Sequence, residues 1–183
     1  MNLKLSIKEM TTVAIFSALT AILSQISIPL PFSPVPITFQ ILAIYISSII
    51  LGSKLGAISQ IIYMLLGAIG LPVFPNFSGG LHSIMGPTGG YIISFPIIAF
   101  IIGKLSEKEL PFITIAIGLI LSLLVCYSIG VLQLSFITKM SIQKSIVVGA
   151  LPFIPLDIVK IIIAYLIGIR VKASLLKANL IKC

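Results

Sequence analysis

A chain of 183 residues that is 58% hydrophobic and only 9% charged stands far from soluble domains, which carry about 25% charged residues. It has no polar shell to present to water, and it reads as a single membrane domain over 1–183. The net charge of +8 does not point to nucleic acid, because the cations stand singly at the ends of apolar stretches instead of clustering among polar and aromatic groups.

Six apolar segments follow one another, and roughly 20 such residues cross the hydrocarbon layer as a helix. The first covers residues 10–28 and stops at the Pro-rich stretch 29–36. Lys4 and Lys8 ahead of it mimic a secretory signal, but no small-x-small cleavage site follows, so an uncleaved helix is expected. The second, 38–51, ends at Gly52, Ser53 and Lys54, where Gly52-x-x-x-Gly56 reads as turn chemistry. The third, 55–71, stops at Pro72 and gives way to a Gly- and Pro-rich loop over 72–88. The fourth is 89–103, followed by a charged connection over 104–109. Pro111 fits the first turn of a fifth helix that continues to about Leu134. A mixed segment, 135–145, precedes the last apolar stretch, 146–169, which Pro152 and Pro155 interrupt. The expected fold is an all-α integral membrane bundle of six transmembrane helices.

Charge tests the topology. With six crossings, one face receives Lys4, Lys8, Lys54, Lys104, Lys108, Arg170, Lys172, Lys177 and Lys182, and the other only Lys139 and Lys144. Cations concentrate on the cytoplasmic side, so both termini are expected there. An odd number of spans would misplace the basic tail.

Two charges remain inside the last apolar stretch. Asp157 and Lys160 are three apart and share a helix face. Counting back from Arg170 at about 1.5 Å per residue puts Lys160 about 15 Å and Asp157 about 20 Å above the inner boundary. An isolated charge at such depth costs at least ~2.5 kcal/mol, so both are expected to face the bundle interior. The plain reading is a structural ion pair, with Asp157 favoured by the dipole of a helix that starts at Pro155. That dipole disfavours Lys160, which needs an anion nearby: Asp157 itself or an arriving ligand. Broken helices at membrane depth commonly build transporter sites.

Other residues carry weaker signals. Asn76 and Phe77 stand beside glycines, as does the run Gly86-Pro87-Thr88-Gly89-Gly90-Tyr91. Gly89 and Gly90 would let amides approach a ligand, while Asn76 and Tyr91 could hydrogen-bond it; the alternative is a turn using Gly and Pro for their dihedrals. Phe32, Phe39, Phe74 and Phe77 serve either as pocket walls or as packing. Ala14 and Ala18 lie four apart and permit close helix approach, whether to an internal neighbour or to another subunit. His82 is the one histidine, so no histidine metal cluster is available, and it reads as an ordinary loop residue. Cys126 and Cys183 form neither a disulfide framework nor a CxxC site, and no metal or other cofactor is expected.

Three runs together carry a resemblance. Residues 34–40 (PVPITFQ), 86–91 (GPTGGY) and 151–160 (LPFIPLDIVK) resemble the BioY family, the biotin-binding S components of energy-coupling factor (ECF) transporters, over nearly the whole chain. The resemblance implies that biotin enters a pocket beneath the outer loops and meets Asp157 and Lys160, with Asn76, Phe77, Gly89, Gly90 and Tyr91 as further pocket positions. It also implies that Ala14 and Ala18 dock a transmembrane coupling subunit, with separate ATP-binding subunits, in the cytoplasmic membrane. Asp157 can accept from the ureido N–H groups of biotin and Lys160 can meet an oxygen; the orientation stays open.

Rival readings are thinner. One Asp excludes a two-aspartate protease, one His excludes a histidine-paired site, and no G-x-S-x-G elbow occurs, so an enzyme is not expected. Without G-x-x-x-x-G-K-[ST] the chain is not its own ATPase. A stand-alone facilitator, or an S component for thiamine or riboflavin, is the alternative.

Overall fold

The computed structural model describes residues 5–108, 111–178 and 180; Lys4, Glu109, Lys182 and Cys183, which enter the charge and cysteine readings, lie outside the described residues. In chain order the elements are α1 (Ile7–Ser24), β1 (Ser27–Leu30), β2 (Ser33–Thr38), α2 (Gln40–Ala68), a 3-10 turn (Pro75–Phe77), α3 (Leu81–Met85), α4 (Gly89–Ser106), α5 (Phe112–Thr138), α6 (Ile142–Gly149) and α7 (Ile154–Lys177). Four helices are long and apolar enough to cross a membrane, or five when the bent pair α6–α7 counts as one span.

The helix starts and stops have local causes. Ser6 caps α1, accepting from the Glu9 amide at 3.3 Å while the Glu9 carboxylate accepts from the Ser6 amide at 2.7 Å, a reciprocal capping box. The chain is not purely helical as expected: residues 27–38 form an antiparallel β-hairpin pairing Ser27 with Thr38 and Ile28 with Ile37. Each of Ile28, Leu30, Ser33 and Val35 precedes a proline, and the following ring pushes such residues out of the helical region into extended backbone. The first helix therefore ends at Ser24 and not near residue 28. The Ser33 hydroxyl donates to the Val148 carbonyl at 2.7 Å, which pins the hairpin to α6.

The turn expected at Gly52 is a full reversal. Its backbone adopts φ 78° and ψ −175°, a conformation that glycine reaches without steric cost. α2 thus consists of two antiparallel arms, tied by Gln40 Nε2 donating to the Tyr63 hydroxyl at 2.7 Å and Gln60 Nε2 to Ser47 Oγ at 3.1 Å. These arms are the second and third apolar segments. The loop after them is more ordered than its composition implies, folding into the 3-10 turn and the short α3. α1 packs along the second arm through small polar side chains, including Ser17 Oγ donating to the Ser59 carbonyl at 2.7 Å. Ala14 and Ala18 lie on the opposite, exposed side of α1. The last apolar segment is split: α6 and α7 meet at a 51° bend, where Pro152 and Pro155 prevent a continuous hydrogen-bond ladder.

The basic residues gather at one end of the bundle. The Ser53 amide and hydroxyl donate to Glu107 Oε1 at 2.7 and 2.6 Å, joining the α2 reversal to the end of α4. Lys172 Nζ of α7 donates to the Ser106 carbonyl at 2.6 Å. Burial works to raise the Glu107 carboxyl, but the Ser53 donors and the Lys104 charge outweigh it and hold it below the usual carboxylate value. A depressed folded-state pKa adds stability above the unfolded-state pKa, and that contribution disappears as pH falls through the folded value. Glu107→Gln is expected to lower the melting temperature slightly at neutral pH, because the group is partly solvent-screened, and to match the wild type in acid. A gap between the two that is unchanged in acid would contradict this role.

Candidate functional site

The two intramembrane charges stand in the first turns of α7, with Pro155 at its start. Asp157 is 4% and Lys160 6% exposed, so both have left water and need partners. Lys160 Nζ donates to Asp157 Oδ1 at 2.7 Å and to the Thr38 carbonyl at 2.7 Å. The Tyr127 hydroxyl of α5 donates to the other carboxylate oxygen, Oδ2, at 2.7 Å. The Phe39 ring lies 5.8 Å from Nζ, within cation–π range. An ammonium carries three donors; two are used here, and no acceptor for the third is present among the described residues.

The pair is not sealed. Both side chains line a cavity of about 340 Å³, a volume within the roughly 300–1,000 Å³ typical of small-molecule sites. Tyr127 and the ion pair bring its polar character, Ile41, Ile92, Phe95 and Phe153 its apolar walls, and β2 and the loop carrying Phe74, Asn76 and His82 complete it. The α6–α7 bend contributes Gly149 and Phe153. A second polar chain stiffens the wall: Thr38 Oγ1 donates to Gln40 Oε1 at 3.0 Å, and the Tyr63 hydroxyl that receives Gln40 Nε2 donates to the Val73 carbonyl at 3.1 Å. This chain ties the start of α2 to the loop above the cavity.

The other residues singled out in the sequence divide. Asn76 lines the cavity from a left-handed backbone at φ 57°, a conformation Asn tolerates better than most residues. Tyr91 lines it too, although its hydroxyl is engaged by the Gly149 carbonyl at 2.7 Å. Gly89 and Gly90 do not line it. They are buried packing positions, where a Cβ would strike the Ile84 and Ile129 carbonyls respectively. Phe77 is also outside the cavity and 72% exposed, its amide donating to Gln25 Oε1 at 2.9 Å; this bond and the positive φ of 55° turn its ring outward. Of the phenylalanines weighed as walls, Phe74 is buried at the cavity and Phe32 is exposed.

Sequence reasoning missed several participants. His82, read as an ordinary loop residue, lines the cavity, as does Cys126, whose Sγ accepts from Ser94 Oγ at 3.1 Å. Tyr127 carries one signal in the sequence, a phenol in a predominantly apolar helix, where a buried hydroxyl needs a partner. Tyr127→Phe leaves Asp157 Oδ2 without its donor, an expected loss of about 1–3 kcal/mol, checked by thermal melting of the purified protein. Unchanged melting would show that the bond contributes nothing.

Apolar helices able to span a bilayer, packed around a cavity with a buried ion pair, define a multi-pass membrane protein with an internal cavity. The BioY family profile matches residues 1–177, and the chain belongs to the BioY family. A biotin transporter BioY of Thermotoga maritima is 41% identical over 165 residues, covering 90% of this chain and 96% of that one. A probable biotin transporter BioY of Pyrococcus horikoshii is 44% identical over 167 residues, covering 91% and 98%. Among solved structures, the S-component for biotin from an ECF-type ABC transporter superposes with a TM-score of 0.84 at 32% identity, covering 91% of this chain and 92% of that one.

Proposed function

We propose that this chain binds biotin and serves as the substrate-specific subunit of an ECF-type transporter, taking the vitamin up across the cytoplasmic membrane. The observation that carries the reading is the buried Asp157–Lys160 pair opening onto a cavity of vitamin size, in a chain whose relatives are named for biotin transport. Biotin offers two ureido N–H donors, a ureido oxygen, an apolar bicycle and a carboxylate tail. Asp157 retains acceptor capacity and Lys160 a donor, while the aromatic and aliphatic walls receive the apolar body. Asn76 and Tyr91 contribute contacts from the loop side and from α4; Phe77, Gly89 and Gly90 act through loop placement and close packing instead of direct contact.

The topology in this reading has six crossings, with the two arms of α2 counted separately and α6–α7 as one broken span. It is supported by the antiparallel arms and by the gathering of Lys54, Lys104, Lys108, Arg170 and Lys172 at the end opposite the cavity. Both termini are then cytoplasmic by the distribution of cations, and the pocket faces outward. Energy comes from ATP-binding subunits through a membrane coupling subunit, which docks on the exposed small-residue face at Ala14 and Ala18.

The test is titration of the purified chain with biotin, thiamine and riboflavin, read by calorimetry. Nanomolar-range binding of biotin with negligible binding of the other two is expected. Tight binding of another vitamin and none of biotin would reject the substrate assignment.

A further inference from the structure

A second cavity, of about 300 Å³, lies at the cationic end of the bundle between α4, α5 and α7. α7 packs on α2 and α5 packs on α4, but α5 and α7 scarcely touch, which leaves a cleft between them bordered by the exposed Ile169 and Ala173. Ile49, Ile102 and Leu119 form its buried apolar floor, and Ile169 at its edge is 40% exposed. Lys108 and Lys172 border the same cavity. Lys172 Nζ is held in place by the Ser106 carbonyl at 2.6 Å and the Ser106 hydroxyl at 3.3 Å, neutral acceptors that orient the ammonium without compensating its charge. Glu107, beside Ser106 at this end, is engaged by Ser53 and Lys104.

An apolar cleft between two membrane helices, with two cations at the level where the last helix becomes basic, matches one kind of molecule. The geometry points to a binding site for an anionic phospholipid, one acyl chain in the cleft between α5 and α7 and its phosphate between Lys108 and Lys172. Basic pockets between membrane helices recognise lipid phosphates by this complementarity. A zwitterionic lipid would bring a compensating cation of its own and forfeit part of the attraction. The site lies at the opposite end of the bundle from the Asp157–Lys160 pocket and does not depend on what that pocket binds.

The experiment is native mass spectrometry of the full-length protein in mild detergent with equimolar phosphatidylglycerol and phosphatidylcholine, and separately with laurate. Preferential retention of phosphatidylglycerol is expected. Lys108→Gln and Lys172→Gln should each weaken it about five-fold, Lys172→Arg should preserve it, and Ala173→Trp, which fills the cleft from α7, should abolish it. Size-exclusion profiles and melting temperatures identify any variant that fails to fold, and Ala173→Leu replaces the tryptophan variant if it aggregates. Equal retention of the two phospholipids, or retention indifferent to the lysine and cleft variants, would overturn the site. Laurate displacing phosphatidylglycerol at equal concentration would overturn it as well, in favour of a free fatty acid.

Discussion

Asp157→Asn and Lys160→Ala are each expected to weaken biotin binding by about 100-fold or more, because removing one partner of a buried ion pair leaves the other charge uncompensated at a cost of roughly 3–5 kcal/mol. In Lys160→Ala the carboxylate keeps only the Tyr127 hydroxyl, and in Asp157→Asn the ammonium keeps the Thr38 carbonyl and the Phe39 face. Both single variants should also melt earlier than the wild type. The double variant Asp157→Asn/Lys160→Met separates the two effects. With no net charge left in the site, its melting temperature should recover much of the loss, whereas its affinity should not recover, since the groups that meet the ligand are gone. Calorimetric titration and thermal melting of the same preparations read both quantities. If the single variants bind biotin like the wild type, the pair is a structural element and the ligand sits elsewhere in the cavity.

Gly103→Val is expected to be strongly damaging although it lies far from the pocket. α4 crosses the Gly52 reversal there, and a Cβ on Gly103 would be driven into the backbone of Gly52 and Ser53. Neither neighbour can rotate away, because Gly52 holds a φ of 78° and Ser53 is anchored by two hydrogen bonds to Glu107. Overpacking of a fixed contact costs about 1–3 kcal/mol even when side chains can adjust; here main chain meets main chain, so about 3 kcal/mol or more is expected. The measurement is the yield of monodisperse protein from membranes together with its melting temperature. Wild-type yield and melting for this variant would mean that the helices separate easily at the reversal, contrary to the packing described.

Much of this architecture is readable without coordinates because its causes are local. Each apolar run, each cation beside it and each proline that stops it acts within one or two turns of helix, and Asp157 and Lys160 share a face through helical periodicity alone. The hairpin at 27–38 was within reach for the same reason, since four residues there precede proline, but the Pro-rich stretch reads from composition only as the stop of the first segment. The residues that read differently once the fold is known are those decided by distance in space. Gly89 and Gly90 resemble ligand-cradling glycines, yet two neighbouring helix segments claim the room their missing side chains provide. Phe77 resembles a pocket wall until the bond from its amide to Gln25 turns it outward.

By itself, then, the sequence determined that the chain lives in a membrane, which end is basic, and that one acid and one base must be kept from lipid. Only the tertiary structure decided that Tyr127 and the Thr38 carbonyl complete that pair, and that a cavity lies against it. The physical reason is that hydropathy, charge and proline act on their own stretch of chain, whereas a buried ion pair is satisfied by whatever the fold carries to within hydrogen-bonding distance, here from 30 residues upstream for Tyr127 and 122 for Thr38.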